Sequence, residues 1–228
     1  MKSLCSLFLC IFLLLAAGCS LNGGTPQDST PKASDDDFQG YNTPRNEVFL
    51  HPTPNFPAAC LAALKEELQH HLDEIYIVDR YIVAIGKEFQ LVESDIDPST
   101  HSFRAENLLL KADQYSNRND VIHFIVTDRK ISTTLYGHNG AIVEGFSTCP
   151  GNAAIISSHT FQNGKKQAHF WKLAMREFLH TRGLTRCAKN VPTCLMYRSP
   201  EGASYAGKKE LCPSCLSILA APTKIAHD

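Results

Sequence analysis

The residues best equipped for chemistry crowd into one stretch, Met175 to Cys215. It opens with Arg176, Glu177 and His180, continues through Gly183, Arg186 and Cys187, and closes with Cys194, Met196, Cys212 and Cys215. The run from Lys172 to Arg182 is almost free of helix breakers, so positions 176 and 180, four apart, share one helix face. Gly183 is placed to end that helix, because glycine tolerates the left-handed conformation a helix C-terminus needs. Arg186 follows the turn at the distance where a third group folds back toward His180. The four cysteines behind it have ligand-like spacing, and Cys212-x-x-Cys215 is a zinc-knuckle element. Thiolate zinc there would contribute folding energy directly. Two disulfides are the competing reading, favoured in an oxidising compartment.

These groups need elements to hold them. Leu61, Leu64 and Leu68 recur at helical spacing and predict a helix from Pro57 to His71. Glu74 to Ile85 is β-rich, and Phe89 to Ile96 reads as a further strand. Ser102 to Tyr115 reads as a helix with Phe103, Leu108, Leu109 and Leu110 as its apolar set. Val121 to Thr127 is a short apolar strand, and Ala141 to Phe146 and Ala153 to Ser157 are two more. Cys149-Pro150-Gly151-Asn152 between the last two makes a tight turn. Lys165 to Arg182 is the long helix under the candidate site. Leu211 to Ala220 is a final helix, stopped by Pro222.

The pattern around His180 resembles the metzincin zinc peptidases, H-E-x-x-H-x-x-G-x-x-H followed by a Met-turn. More narrowly it resembles the archaemetzincins, in which a cysteine follows the third histidine, a C-x-M carries the Met-turn and a C-x-x-C closes the site. Here those positions are Cys187, Cys194 with Met196, and Cys212 with Cys215. The resemblance implies an α+β fold: a mixed sheet backed by helices, an active-site helix, a Met-turn and a Cys-rich C-terminal subdomain. It implies one structural zinc on Cys187, Cys194, Cys212 and Cys215. It makes Glu177 the residual general-base position and Arg176, His180 and Arg186 the catalytic-metal positions. It also implies an antiparallel edge strand near Gly140 to Ser157 that pairs with an extended peptide by strand addition.

Two departures change the expected chemistry. Arg176 and Arg186 stand where the pattern has histidine. A catalytic zinc needs three protein ligands and an open position for water. A guanidinium has no lone pair to give, and it repels the ion. A unit charge about 4 Å from a dication costs on the order of 8 kcal/mol at an effective dielectric of about 20. The expectation is therefore no catalytic zinc and no metal-dependent proteolysis, with a peptide- or protein-binding surface left behind. An active zinc metallopeptidase with an altered ligand set is the alternative. The same arginines with His180 offer a place for a carboxylate, unless Glu177 fills that role internally.

The remaining sequence sets the context. The chain has 228 residues, 43% of them hydrophobic, and a net charge of -1. That suffices for one domain with a sizeable core, and no basic cluster interleaved with aromatics points to nucleic acid. Residues 1–19 read as a lipoprotein signal peptide: Lys2, an apolar run to Leu15, then Ala16-Ala17-Gly18-Cys19 as a lipobox. Lipidated Cys19 would anchor the protein to a membrane of the bacterial cell envelope. Residues 20–48 are polar and read as a flexible tether, with the domain spanning 49–228. Cys60 and Cys149 are either bridged or two separate thiols. His70 and His71, a doublet on a helix, are expected to face different ways.

Overall fold

A computed structural model describes residues 46–75, 80–115, 120–135, 140–161, 168–197 and 205–220. The expected leader, Cys19 and most of the expected tether lie outside these residues. Asn46, Glu47 and Val48 already belong to the first strand. All described residues fall in one compact unit, Asn42–Asp228.

A short apolar run forms the central strand of the large sheet. Val121–Thr127 (β5) is buried at all seven positions, as expected of a strand covered on both faces of a parallel sheet. It pairs in parallel with Asn46–Pro52 (β1) on one side and with Ala153–Ser157 (β9) on the other. Tyr81–Ile85 (β2) extends the sheet beyond β1 in parallel, and Gly145–Ser147 (β8) closes the opposite edge antiparallel to β9. The order is β2-β1-β5-β9-β8. Alternation along β5 divides the core into two layers. Ile122, Phe124 and Val126 join the layer under helix α1 (Ala58–Ile75) and helix α3 (Phe170–Thr181), while Ile125 joins the layer under helix α2 (Ala105–Asp113). A second, small sheet, β3-β4-β6-β7, is made of Ile96–Asp97, Ser102–Arg104, Ile131–Thr133 and Ala141–Val143.

This is the mixed α+β architecture expected from the sequence, with several local corrections. Helix α1 runs to Ile75, because Leu72 adds a fourth rung to the buried ladder of Leu61, Leu64 and Leu68. Glu74 and Ile75 are thus helical, not strand. Phe89 to Ile96 is no strand: Phe89 packs under α2 from a loop, and Glu93–Asp95 is a 3-10 turn. Ser102–Arg104 is strand, captured by parallel pairing with Ile131 and Ser132, and the helix starts only at Ala105. Ala141 to Phe146 is two strands in different sheets. The chain changes sheets at Glu144, whose carbonyl accepts the Ser157 N–H at 2.7 Å. Helix α3 begins at Phe170, after His169, and the expected start at Lys165 lies outside the described residues. The last helix, α4, is Pro213–Ala220. The turn before β9 is present and contains a cis Cys149–Pro150 peptide.

Candidate functional site

Helix α3 is the most enclosed of the described helices, with nine of its twelve residues buried. It lies against β8, β9 and α1, so burial rather than propensity fixes where its polar groups point. Glu177 is 3% exposed. Its Oε2 accepts the Ser147 hydroxyl at 2.7 Å. Gly145 lets the edge strand come this close: a Cβ there would lie 2.8 Å from Glu177 Cγ and 2.9 Å from Leu173 Cδ1. Gly145 and Ser147 are two apart on β8 and so face the same side, one making room for the carboxylate and the other bonding it.

The helix ends as expected. Gly183 has φ +86°, and the Leu184 N–H reaches back to the Leu179 carbonyl at 3.0 Å. That turn aims the Leu184 carbonyl at His180, whose Nδ1 donates to it at 2.6 Å. The bond places the proton on Nδ1 and leaves the lone pair on Nε2. Burial pulls the His180 pKa down; Glu177 and the Leu184 carbonyl oppose this, and Arg176 and Arg186 add to it. The ring is held neutral.

Arg176 is half-buried on the same face. Its Nη1 donates to the Tyr205 hydroxyl at 3.2 Å, and its Nε is buried with no hydrogen-bond partner among the described residues. Burial works against its charge, but Glu177, Tyr205 and Glu144 outweigh that and hold the guanidinium above its usual pKa. Burial pushes the Tyr205 phenol up to about 12 despite Arg176. Lys208, drawn down to about 8 by burial and then by Arg176, donates to the Tyr197 carbonyl at 2.5 Å. Arg176 and Glu177 each have a hydrogen-bond partner of their own, Tyr205 and Ser147, and the Glu177 charge is the largest of those favouring the guanidinium. Arg186 is exposed. Among the described residues, no cluster of three or more His, Cys, Asp or Glu donor atoms includes His180. Of the three positions, His180 alone has a lone pair to offer, and the donor set does not fit a catalytic metal ion.

The four cysteines do fit a metal ion. Cys187, Cys194, Cys212 and Cys215 are all buried, and their sulfurs lie within 4.8 Å of one another. Cys187 Sγ is 3.6 Å from Cys212 Sγ, and Cys194 Sγ is 3.8 Å from Cys215 Sγ. Zinc–sulfur bonds of about 2.3 Å in a tetrahedron put neighbouring sulfurs about 3.8 Å apart. These separations are far beyond a disulfide bond, about 2.05 Å. Backbone bonds hold the frame: the Cys187 N–H donates to the Met196 carbonyl at 3.0 Å, and the Leu195 N–H to the Glu210 carbonyl at 2.9 Å. The Cys212 N–H points at Cys194 Sγ, 3.4 Å away, and the Cys215 N–H is the main reason the Cys212 thiol falls to about 7. Met196, the Met-turn candidate, is 1% exposed inside this frame. Cys60 is half-buried and Cys149 exposed, and no disulfide joins them.

Ser147, Tyr205, Lys208 and Glu144 were not singled out from the sequence. Only the Gly145-x-Ser147 alternation carried a readable signal; Tyr205 lies 29 residues from Arg176, a separation at which spacing predicts nothing about contacts.

Comparison with known proteins places this architecture. No family model matches the sequence, and no curated protein matches it. Solved structures do. An archaemetzincin from Methanopyrus kandleri superposes with a TM-score of 0.63 at 19% identity, over 79% of this chain and 96% of that one. A zinc-dependent peptidase from Methanocorpusculum labreanum gives 0.59 at 20% identity, over 75% and 99%. An archaemetzincin from Archaeoglobus fulgidus, complexed with malonate, gives 0.55 at 19% identity, over 75% and 98%.

Proposed function

We propose that this chain, whose fold is archaemetzincin-like, is a non-catalytic binding protein that holds an extended peptide or protein segment along β8. The observation that carries the reading is the pair of arginines at positions 176 and 186, which leaves His180 without companion donors. Glu177 supports it too: the would-be general base is bonded to Ser147 in an enclosed site. Among the described residues β8 lies at the edge of the large sheet, the position from which strand addition extends a sheet. The positive charge of half-buried Arg176 suits a carboxylate on such a ligand. The malonate in the Archaeoglobus structure is a dicarboxylate.

In this reading Cys187, Cys194, Cys212 and Cys215 hold one zinc that staples the C-terminal part of the domain to α3. Its chemistry is structural: four thiolates fill its coordination sphere and leave no position for water. Lipidated Cys19 would hold the domain at the cell envelope, with the polar tether as spacer.

The second reading, an active zinc metallopeptidase with an altered ligand set, is favoured by the retention of Glu177 and His180 on one helix. One experiment separates the two. A peptide library is incubated with the purified chain, with and without a chelator, alongside Glu177→Gln. The binding reading expects no cleavage in any arm and retention of library peptides on the immobilised chain. Chelator-sensitive cleavage that disappears in Glu177→Gln would overturn it.

A further inference from the structure

We infer that helix α1 carries a surface site for a divalent transition-metal ion, formed by His70, His71 and Glu74 and separate from the four-cysteine cluster. The doublet His70-His71 was expected to diverge, since neighbours on a helix point about 100° apart. Glu74 closes the gap. It stands at i+4 from His70 and i+3 from His71, so one turn further on it lies between the two rings. Its Oε1 is 3.3 Å from His70 Nε2, and its Oε2 is 3.0 Å from His71 Nδ1. With one donor atom counted from each residue, the three lie within 4.8 Å of one another.

These separations suit an ion. Ligands about 2.1 Å from a metal sit about 3.0 Å apart on an octahedral edge and about 3.4 Å apart on a tetrahedral one. Two imidazoles and a carboxylate oxygen are the donor set of zinc, nickel, cobalt or copper rather than of calcium or magnesium. The site is partly built before any ion arrives. His71 stacks on Trp171 of α3, with ring centroids 3.6 Å apart and planes 17° apart, which fixes the ring that contributes Nδ1. Glu67, with Oε2 3.8 Å from His71 Nε2, adds negative charge on the other side of that ring. His70 and Glu74 are exposed, so the remaining coordination positions face solvent and are open to water or to a group from another molecule.

Trp171 is the only tryptophan in the chain, and it lies against a ligand ring. Nickel(II) bound here therefore quenches the protein's tryptophan fluorescence. The experiment titrates nickel(II) into the full chain with its cysteine-bound zinc in place. Saturable quenching at one equivalent is expected, reversed by free histidine and blocked by excess zinc(II). His70→Gln and Glu74→Gln should each weaken it at least about tenfold, the loss of about 1.4 kcal/mol or more, with the metal-free emission spectrum unchanged. Quenching that never saturates, or that is equal in both variants and the parent, would overturn the site and assign the contacts to ordinary helix-surface hydrogen bonds. Neither outcome depends on peptide binding at β8.

Discussion

A buried histidine pair should make this domain sensitive to mild acid, and by a calculable amount. His51 of β1 and His123 of β5 lie 4% and 5% exposed on the α2 side of the large sheet. His51 Nδ1 donates to the Lys87 carbonyl at 2.9 Å, so its Nε2 must accept from His123 Nδ1, 3.0 Å away. Both rings are neutral in that arrangement. Burial, then the neighbouring His51, lowers the His123 pKa to about 4, against a small opposing effect of Asp113. Burial lowers His51 as well. Because the folded pKa lies below the unfolded one, about 6.5, the unfolded chain takes the proton first. The stabilisation is complete above about pH 6.5 and is lost as pH falls toward 4. For His123 alone the loss at pH 5 is about 2 kcal/mol. Urea unfolding of the parent and of His123→Leu at pH 7.5 and pH 5.0 checks this. The variant is less stable throughout, since His51 Nε2 loses its partner, but its loss between the two pH values should be smaller by about 2 kcal/mol. Equal losses would refute the neutral-pair reasoning.

Further outcomes follow from the candidate site. Ser147→Ala leaves the enclosed Glu177 carboxylate short of its donor and should cost about 1.5–3 kcal/mol in urea unfolding. Gly145→Ala pushes a methyl to within 2.9 Å of Glu177 and Leu173 atoms; it should destabilise by about 1–3 kcal/mol, seen as a lower melting temperature. Cys212→Ser removes one of four thiolates, so the variant should purify without tightly bound zinc and with easier proteolysis of the region after Gly183. Zinc retained at the parental level would contradict the four-cysteine site.

The legible parts of the sequence were those in which local pattern and tertiary environment agree. The run Val121–Thr127 is apolar because it is covered on both faces, and its bounds were readable to the residue. The leucine ladder of α1 and the glycine stop of α3 were readable for the same reason. β1 was not, since Asn46–Pro52 ends in His-Pro. His51 becomes an acceptable core residue only through a partner 72 positions away. Ala141 to Phe146 looked like one strand because nothing local marks Glu144 as the point where the chain leaves one sheet for another. Around the site, the cysteine spacing anticipated a cluster that the fold closes to within 4.8 Å. The surroundings of Arg176 were illegible: Tyr205 reaches it from 29 residues away.

The count of tightly held zinc tests the central claim most directly. The full chain is desalted in the presence of free histidine, which strips weak surface ions, and its metal is measured. One zinc per chain, lost in Cys212→Ser and unaffected by His180→Ala, is the predicted result. Two zincs per chain, with one lost in His180→Ala, would contradict the account, because a metal would then be held where two guanidiniums stand.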